Sequence, residues 1–334
     1  MDADGQIDKG SWTDHRSLTV LPEDGREIYF QAIDAARHEI RIEICVLEDP
    51  KILERLNAAL HRGIRVRAIV DRGKYGSIPA ERANLQQYLT AAGGELHLSN
   101  PLFPRSFPKI ILVDSKLLVY GSACLDQTTF KQYRDFAHSS TNRQLLSELQ
   151  RLFENDWEYS AAVGQEPPLF NPTPRISSSD LIVSPVNGAE RLVGLYQQAR
   201  QTLDIYTELL GNRTLESELA AAVKRGVRVR LIAPLNVNGG TREIQQVQLA
   251  SLRALAGAGV KVHVSGPNES AEQPYMHARA ALVDGKTAYL GSISLSPDSI
   301  TFNREMGMIV QEDDVVRKLQ AQFQSDYDLR TKEF

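Results

Sequence analysis

The stretch Leu56-Asn-Ala-Ala-Leu-His-Arg-Gly63-Ile-Arg-Val-Arg-Ala-Ile-Val70 recurs as Leu219-Ala-Ala-Ala-Val-Lys-Arg-Gly226-Val-Arg-Val-Arg-Leu-Ile-Ala233, at an offset of 163 residues. In each copy an apolar stripe at helical spacing gives way to strict alternation. Ile52, Leu53, Leu56, Ala59 and Leu60 share one face of a helix. Gly63 and Gly226 follow, where a helix end needs positive φ. Ile64, Val66, Ala68 and Val70 then face one side of a strand, with Arg65 and Arg67 on the other. A helix–glycine–strand unit written twice marks an internal duplication.

The repeat extends outward. Leu112-Val-Asp114-Ser-Lys116 recurs as Leu282-Val-Asp284-Gly-Lys286, Gly121-Ser122 as Gly291-Ser292, and Phe153-Glu-Asn-Asp156 as Phe323-Gln-Ser-Asp326, all at an offset of 170. A net insertion of seven residues between about 233 and 276 reconciles the two offsets, and seven of the twenty positions in 107–126 match 277–296. Each copy predicts a strand (about 40–47; 203–210), a helix, the alternating strand, a second helix (about 80–92; 241–257) and another strand (95–98; 260–264). A hairpin turning at Asp114-Ser115 or Asp284-Gly285 follows, then a closing helix (about 143–158; 312–327). The expected class is α/β: two duplicated halves, each a mixed sheet flanked by helices, packed as one pseudo-two-fold unit. Residues 1–17 read as a polar arm, 18–163 as the first half, 164–180 (rich in Pro and Ser) as a linker and 181–334 as the second half.

The chain has 334 residues, 42% apolar and 24% charged, with a formal charge of −4. That composition excludes a disordered or low-complexity chain. It also excludes a global attraction to nucleic acid, so any affinity for phosphate must be local. Cys45 and Cys124 sit in apolar runs and read as buried small residues, not as a disulfide framework. The start MDADGQIDKG lacks the basic and apolar regions of a signal peptide, and no apolar run approaches ~18 residues. The expected location is the cytosol, with peripheral contact at a membrane if the substrate is a lipid.

The chemistry concentrates in His277-Ala-Arg279-Ala-Ala-Leu-Val-Asp284-Gly-Lys-Thr-Ala-Tyr-Leu-Gly291-Ser292-Ile-Ser294, followed by Asn303-Arg304-Glu305. At strand spacing His277 and Arg279 share a face, as do Ser292 and Ser294. An imidazole, a guanidinium, hydroxyls and a carboxylate at a strand end suit an anionic substrate. The cation and hydroxyls hold phosphate oxygens, the imidazole attacks or moves a proton, and the acid orients the imidazole.

This pattern resembles the phospholipase D superfamily over about 18–334. The family motif is His-x-Lys, four residues, Asp, six residues, Gly-Ser-x-Asn, with a downstream acid. His277, Arg279, Asp284, Gly291-Ser292 and Glu305 stand in that register. The resemblance implies two similar halves whose motifs meet in one site, and a metal-independent phosphodiesterase or phosphatidyltransferase without cofactor. In the family one histidine is the nucleophile and the other the general acid. The first copy departs from this. Phe107 holds the histidine position, while Lys109, Asp114 and Ser122 are retained; Asp135 is its downstream acid and Cys124 replaces the asparagine. In the second copy the asparagine is Ser294 and the lysine is Arg279, which keeps the charge but not the shape.

The expected catalytic set is therefore His277, Arg279, Lys109, Glu305 and Asp135, with Ser292, Ser294 and Ser122 at the phosphate and Asp284 and Asp114 fixing the turns. If the orienting acid comes from the opposite half, as in some relatives, Asp135 serves His277 and Glu305 faces Phe107. His97 and His263 read as strand positions with structural partners, without metal-ligand spacing. The paired Arg65/Arg67 and Arg228/Arg230 read as a solvated strand face or ion-pair partners. The loop Asn236-Val-Asn-Gly-Gly240-Thr-Arg242 falls near the strand ends, where open α/β sheets meet ligands. A phospholipid-like diester is the favoured substrate. The alternatives are a catalytically weak or inactive binding or regulatory member, or a nuclease of the same superfamily. A homodimer could bring two His277 side chains together.

Overall fold

The computed structural model describes residues 18–77, 79–266, 270 and 272–334, so the segment 1–17 read as an arm lies outside the described residues. Each half builds one mixed α/β sheet. Across the first, the strands run Thr19–Leu21, Tyr133–Ser140, Leu117–Gly121, Ile110–Val113, Glu39–Ile44, Arg65–Val70, Glu95–Leu98 and Ala161–Ala162. Across the second they run Leu181–Ser184, Arg304–Val310, Thr287–Gly291, Ala280–Val283, Thr202–Tyr206, Arg228–Pro234, Lys261–Ser265 and Lys332–Glu333. The two orders match place for place. Glu39–Ile44, Arg65–Val70 and Glu95–Leu98 are parallel, because helices Pro50–His61 and Pro79–Leu89 carry the chain back between them. The hairpin strands are antiparallel.

Local chemistry starts and stops these elements where the repeat demands. Asp49 caps Pro50–His61, accepting from the amides of Lys51 and Ile52 at 3.2 Å each. Ile52, Leu53, Leu56 and Ala59 turn inward, and Gly63 ends the unit at φ +81°. Asn212 and Gly226 (φ +87°) do the same around Arg213–Lys224. The hairpin turns take positive φ at Asp114 and Asp284, 51° and 52°. Each Asp carboxylate accepts from three successive amides: Arg37, His38 and Glu39 for Asp114, and Arg200, Gln201 and Thr202 for Asp284. These bonds tie each turn to the start of the neighbouring strand.

Two exchanges join the halves. Ser106–Phe107 leaves the first half and pairs parallel with Arg304–Val310 of the second sheet. Tyr275–Met276 reciprocates, pairing parallel with Tyr133–Ser140 of the first. Below them lies one core drawn from both halves, including Tyr120, Phe136 and Phe153 with Tyr206, Met306 and Phe323. Two buried ion pairs follow the same symmetry. Arg134 binds Asp326 through Nε at 2.8 Å and Nη2 at 3.0 Å, and Arg304 binds Asp156 at 2.7 Å. Each pair links a strand of one half to the closing helix of the other, Asp313–Leu329 or Arg143–Glu158.

Three expectations change. Each sheet begins one strand earlier than the sequence suggests, with Thr19–Leu21 and Leu181–Ser184. Residues 277–279 and 292–294 lie just outside the strands, so alternation does not set their directions. At Gly291 a Cβ would lie 2.4 Å from the Gly307 Cα, so that strand end sits flush against the backbone of its neighbour. Finally, Cys45 and Cys124 are not separate fillers but a buried disulfide, with Cα atoms 6.3 Å apart. The cause is local. The segments leaving Glu39–Ile44 and Leu117–Gly121 run together, the Leu125 amide donating to the Val46 carbonyl at 3.0 Å.

Candidate active site

The exchanged strands decide which carboxylate meets which ring. The register Tyr275 with Tyr133 and Met276 with Arg134 delivers His277 beside Asp135. His277 Nδ1 lies 2.7 Å from Asp135 Oδ2. The opposite exchange pairs Phe107 with Glu305, so the second carboxyl faces a ring that cannot hydrogen-bond to it. Asp135 is fully buried, and its Oδ1 accepts from Ser122 Oγ at 2.5 Å. Ser122 Oγ in turn accepts from the Phe136 amide at 3.0 Å, which holds the carboxylate on the strand. Ser292, the repeat mate of Ser122, bonds to the Met306 amide and carbonyl, at 3.1 and 3.2 Å. Glu305 accepts from Asn303 Nδ2 at 3.0 Å.

A cavity of about 430 Å³ opens where the halves meet, lined by His277, Arg279 and Glu208 of the second half and by Phe107, Lys109 and the Cys45–Cys124 pair of the first. Glu208 was not among the residues expected from sequence. It follows the strand Thr202–Tyr206, and at the 163 offset it occupies the place that Cys45 holds in the first half. Its carboxylate bonds Arg279 Nη2, accepts from Tyr275 OH at 2.9 Å and lies 3.9 Å from His277 Nε2. Arg279 Nε also reaches Ser294 Oγ at 3.1 Å. The bracket Glu208–Arg279–Ser294 in one half is thus matched by the Cys45–Cys124 disulfide in the other. Lys109, the mate of Arg279, is buried with φ +54° and donates to the Ser122 carbonyl.

Burial dominates the electrostatics. Burial, reinforced by the cationic Arg279, holds the His277 imidazole well below its ordinary pKa, so the ring is neutral at pH 7. Burial raises the Asp135 carboxyl to about 6 against the pull of Lys109 and Arg279, and raises Glu305 to about 7. Burial and then Arg279 push Lys109 down to about 7. Burial opposes ionisation of Glu208 too, but the Arg279 guanidinium, with the Tyr275 hydroxyl donating to the carboxylate, outweighs it and holds that carboxyl below its usual value. An ionised Asp135 is an acceptor alone, so the proton of the neutral ring lies on Nδ1 and the lone pair on Nε2.

The insertion loop also reaches this site. The Asn238 amide donates to Tyr275 OH at 3.0 Å, and Asn238 Nδ2 to Tyr133 OH at 3.1 Å. The Tyr133 ring lies 5.1 Å from that of His277. His97 and His263 lie away from the cavity, stacked on Trp157 and Tyr327 at 3.7 and 3.5 Å. Arg67 and Arg230 serve ion pairs with Glu39, Glu154 and Asp204. Among the described residues no cluster of three or more His, Cys, Asp and Glu side chains could hold a metal ion.

Comparison with known proteins identifies the same duplication. A family model described as cardiolipin synthase, phospholipase D-like domain, matches twice, over residues 29–157 and 192–327. The cardiolipin synthase of Geobacillus kaustophilus is 24% identical over 349 residues, covering 93% of this chain and 66% of that protein. The chain thus spans just under two thirds of that relative's length. Among solved structures, phosphatidylserine synthase of Haemophilus influenzae superposes with a TM-score of 0.73 at 14% identity, over 97% of this chain and 88% of that one. Polyphosphate kinase of Porphyromonas gingivalis superposes with a TM-score of 0.69 at 16% identity, over 95% of this chain and 48% of that one.

Proposed function

The chain belongs to the phospholipase D-like domain family, and on that premise we propose that it is a phosphodiesterase or phosphatidyltransferase working through His277. The observation that carries this assignment is the contact of 2.7 Å across the halves between His277 Nδ1 and Asp135. Asp135 keeps the proton on Nδ1 and stabilises the positive charge that grows on the ring as Nε2 attacks phosphorus. Arg279 and Lys109 line the same cavity and offset the charge on the non-bridging oxygens. The P–N bond forms as the bond to the leaving group breaks. An alcohol or water then takes the phosphoryl group from His277, giving transfer or hydrolysis. These steps call on protein side chains alone.

A phospholipid-like substrate is favoured because relatives and fold neighbours include cardiolipin and phosphatidylserine synthases. No helix among the described residues is long and apolar enough to cross a membrane. Turnover of bis(4-nitrophenyl) phosphate by the wild type, abolished in His277→Ala, tests the assignment. A phosphate-binding module without turnover is the second assignment, favoured by Phe107 at the second histidine position. Phosphate binding by a wild type that cleaves no lipid or aryl diester would establish it instead.

A further inference from the structure

The cavity has two unlike walls. His277, Arg279 and Glu208 form the polar one, while Phe107, Val46 and the Cys45–Cys124 disulfide form much of the other. Phe107 is the repeat mate of His277, and the pseudo-two-fold sets it across the shared cavity from that ring. In an in-line displacement the leaving group departs on the side away from the nucleophile. For attack by His277 that side is the wall of Phe107. A phenyl ring, an isopropyl group and a disulfide have no proton to give.

The titratable side chains on the first half's side of the cavity have partners of their own. Asp71 accepts from the Ser106 and Lys74 amides at 2.8 Å each and from Arg105 at 3.2 Å, and Lys74 meets Glu48 at 3.1 Å. Glu305, paired in register with Phe107, accepts from Asn303 and is not among the residues that line the cavity. Lys109 donates to the Ser122 carbonyl and keeps further protons, which makes it the rival acid. On the other side Glu208 is committed to Arg279 and Tyr275.

Building on the reaction proposed above, we infer that this chain is selective for leaving groups that depart as weakly basic anions, unprotonated by the protein. The substrate class is then a phosphoanhydride, whose leaving group is a phosphate; a phospholipid-like substrate would carry its headgroup through a pyrophosphate link and not as a dialkyl phosphodiester. The step balances without a general acid. Nε2 supplies the electron pair for the new P–N bond, the P–O bond breaks, and its pair leaves with the phosphate. The Nδ1 proton stays between the ring and Asp135. In the second step the acceptor oxygen attacks phosphorus, the P–N pair returns to Nε2, and the acceptor's proton passes to water. A general acid typically contributes ~10²–10⁴-fold to rate, and its absence is felt in proportion to the basicity of the leaving group.

The test compares a graded series of methyl aryl phosphodiesters with a dialkyl phosphodiester and a dialkyl pyrophosphate, using the purified full chain. The wild type should turn over the pyrophosphate and the 4-nitrophenyl ester. Its kcat/KM should fall steeply as the phenol becomes more basic, with the dialkyl ester inert. Phe107→His should narrow the aryl-to-alkyl ratio by ~10²-fold or more. Comparable wild-type rates for aryl and alkyl esters overturn this inference and leave the proposed reaction standing. A shallow aryl dependence with rate lost above pH 7 assigns the acid to Lys109 and also overturns it. Turnover of no member of the series removes the proposed reaction itself, and this inference with it.

Discussion

Replacing Asp135 with asparagine removes one charge from the site at nearly constant volume. The carboxylate is buried, accepts from Ser122 Oγ at 2.5 Å, and lies 2.7 Å from His277 Nδ1. In the variant the amide oxygen can keep the serine bond. The amide nitrogen then faces Nδ1 and can only donate to it. That donation fixes the ring proton on Nε2, the atom whose lone pair must attack. In serine proteases an aspartate-to-asparagine change behind the catalytic histidine leaves the ring in the wrong tautomer and costs ~10⁴-fold in kcat. At about 1.4 kcal/mol per decade, that corresponds to about 5.5 kcal/mol of barrier. Burial already holds this carboxyl up at about 6, so losing the charge also relieves desolvation and should alter folding stability little. The assay is kcat/KM on a nitrophenyl diester beside a melting curve, with the ring tautomer read by ¹⁵N NMR. Activity within tenfold of wild type, with His277 shown to carry its proton on Nε2, would refute the role given to the Asp135–His277 contact.

Four further outcomes are expected. The acid limb of kcat/KM should fall near pH 6, where Asp135 takes up a proton and frees the ring to change its hydrogen bond; a pH-independent rate from 5 to 8 would contradict this. Glu305 is raised from 4.5 to about 7 on folding, so the folded state holds its proton more tightly and the chain loses stability as pH rises between those values. Glu305→Gln should therefore raise stability at pH 8 by up to about 3 kcal/mol and leave it unchanged at pH 4, as read by urea unfolding at both values. Arg134→Met strands the buried Asp326 and should cost about 3–5 kcal/mol, with Arg304→Met costing a similar amount through Asp156; unfolding midpoints near wild type would argue against a structural role for the crossed pairs. The Cys45–Cys124 crosslink closes a loop with a sequence separation of 79, so reduction should lower stability by up to about 4.5 kcal/mol, measured by denaturation with and without a thiol reductant.

The sequence revealed the features that repeat. The helix–glycine–strand unit, the aspartate turn and the Gly-Ser step recur at constant offsets, and they led to two like halves and a shared motif. Alternation and helical spacing are long-range signals within an element, so Pro50–His61 and Arg65–Val70 could be anticipated. Two-residue strands such as Ser106–Phe107 and Tyr275–Met276 are too short to carry a period, so the exchange that pairs His277 with Asp135 was conditional on resemblance. Glu208 escaped notice because it lies on the 163 offset, away from the motif segment aligned at 170. Laid against its mate Cys45, it would have marked a point where the halves diverge. The disulfide had no local signal. Its cysteines meet because two strand ends separated by 79 residues run side by side, which is a tertiary fact. Asp156 and Asp326 were visible as matched repeats, but not as the buried partners of Arg304 and Arg134 across the halves.

The central claim is that phosphorus is attacked by one histidine, oriented by a carboxylate from the other half. Phosphoramidates survive alkaline quenching, so wild type mixed briefly with a ³²P-labelled nitrophenyl diester can be stopped in base and mapped by peptide mass spectrometry. Label is expected on the peptide carrying His277, formed at a rate no slower than turnover and absent in His277→Asn. Label on a different residue, or steady turnover in His277→Asn, would contradict it.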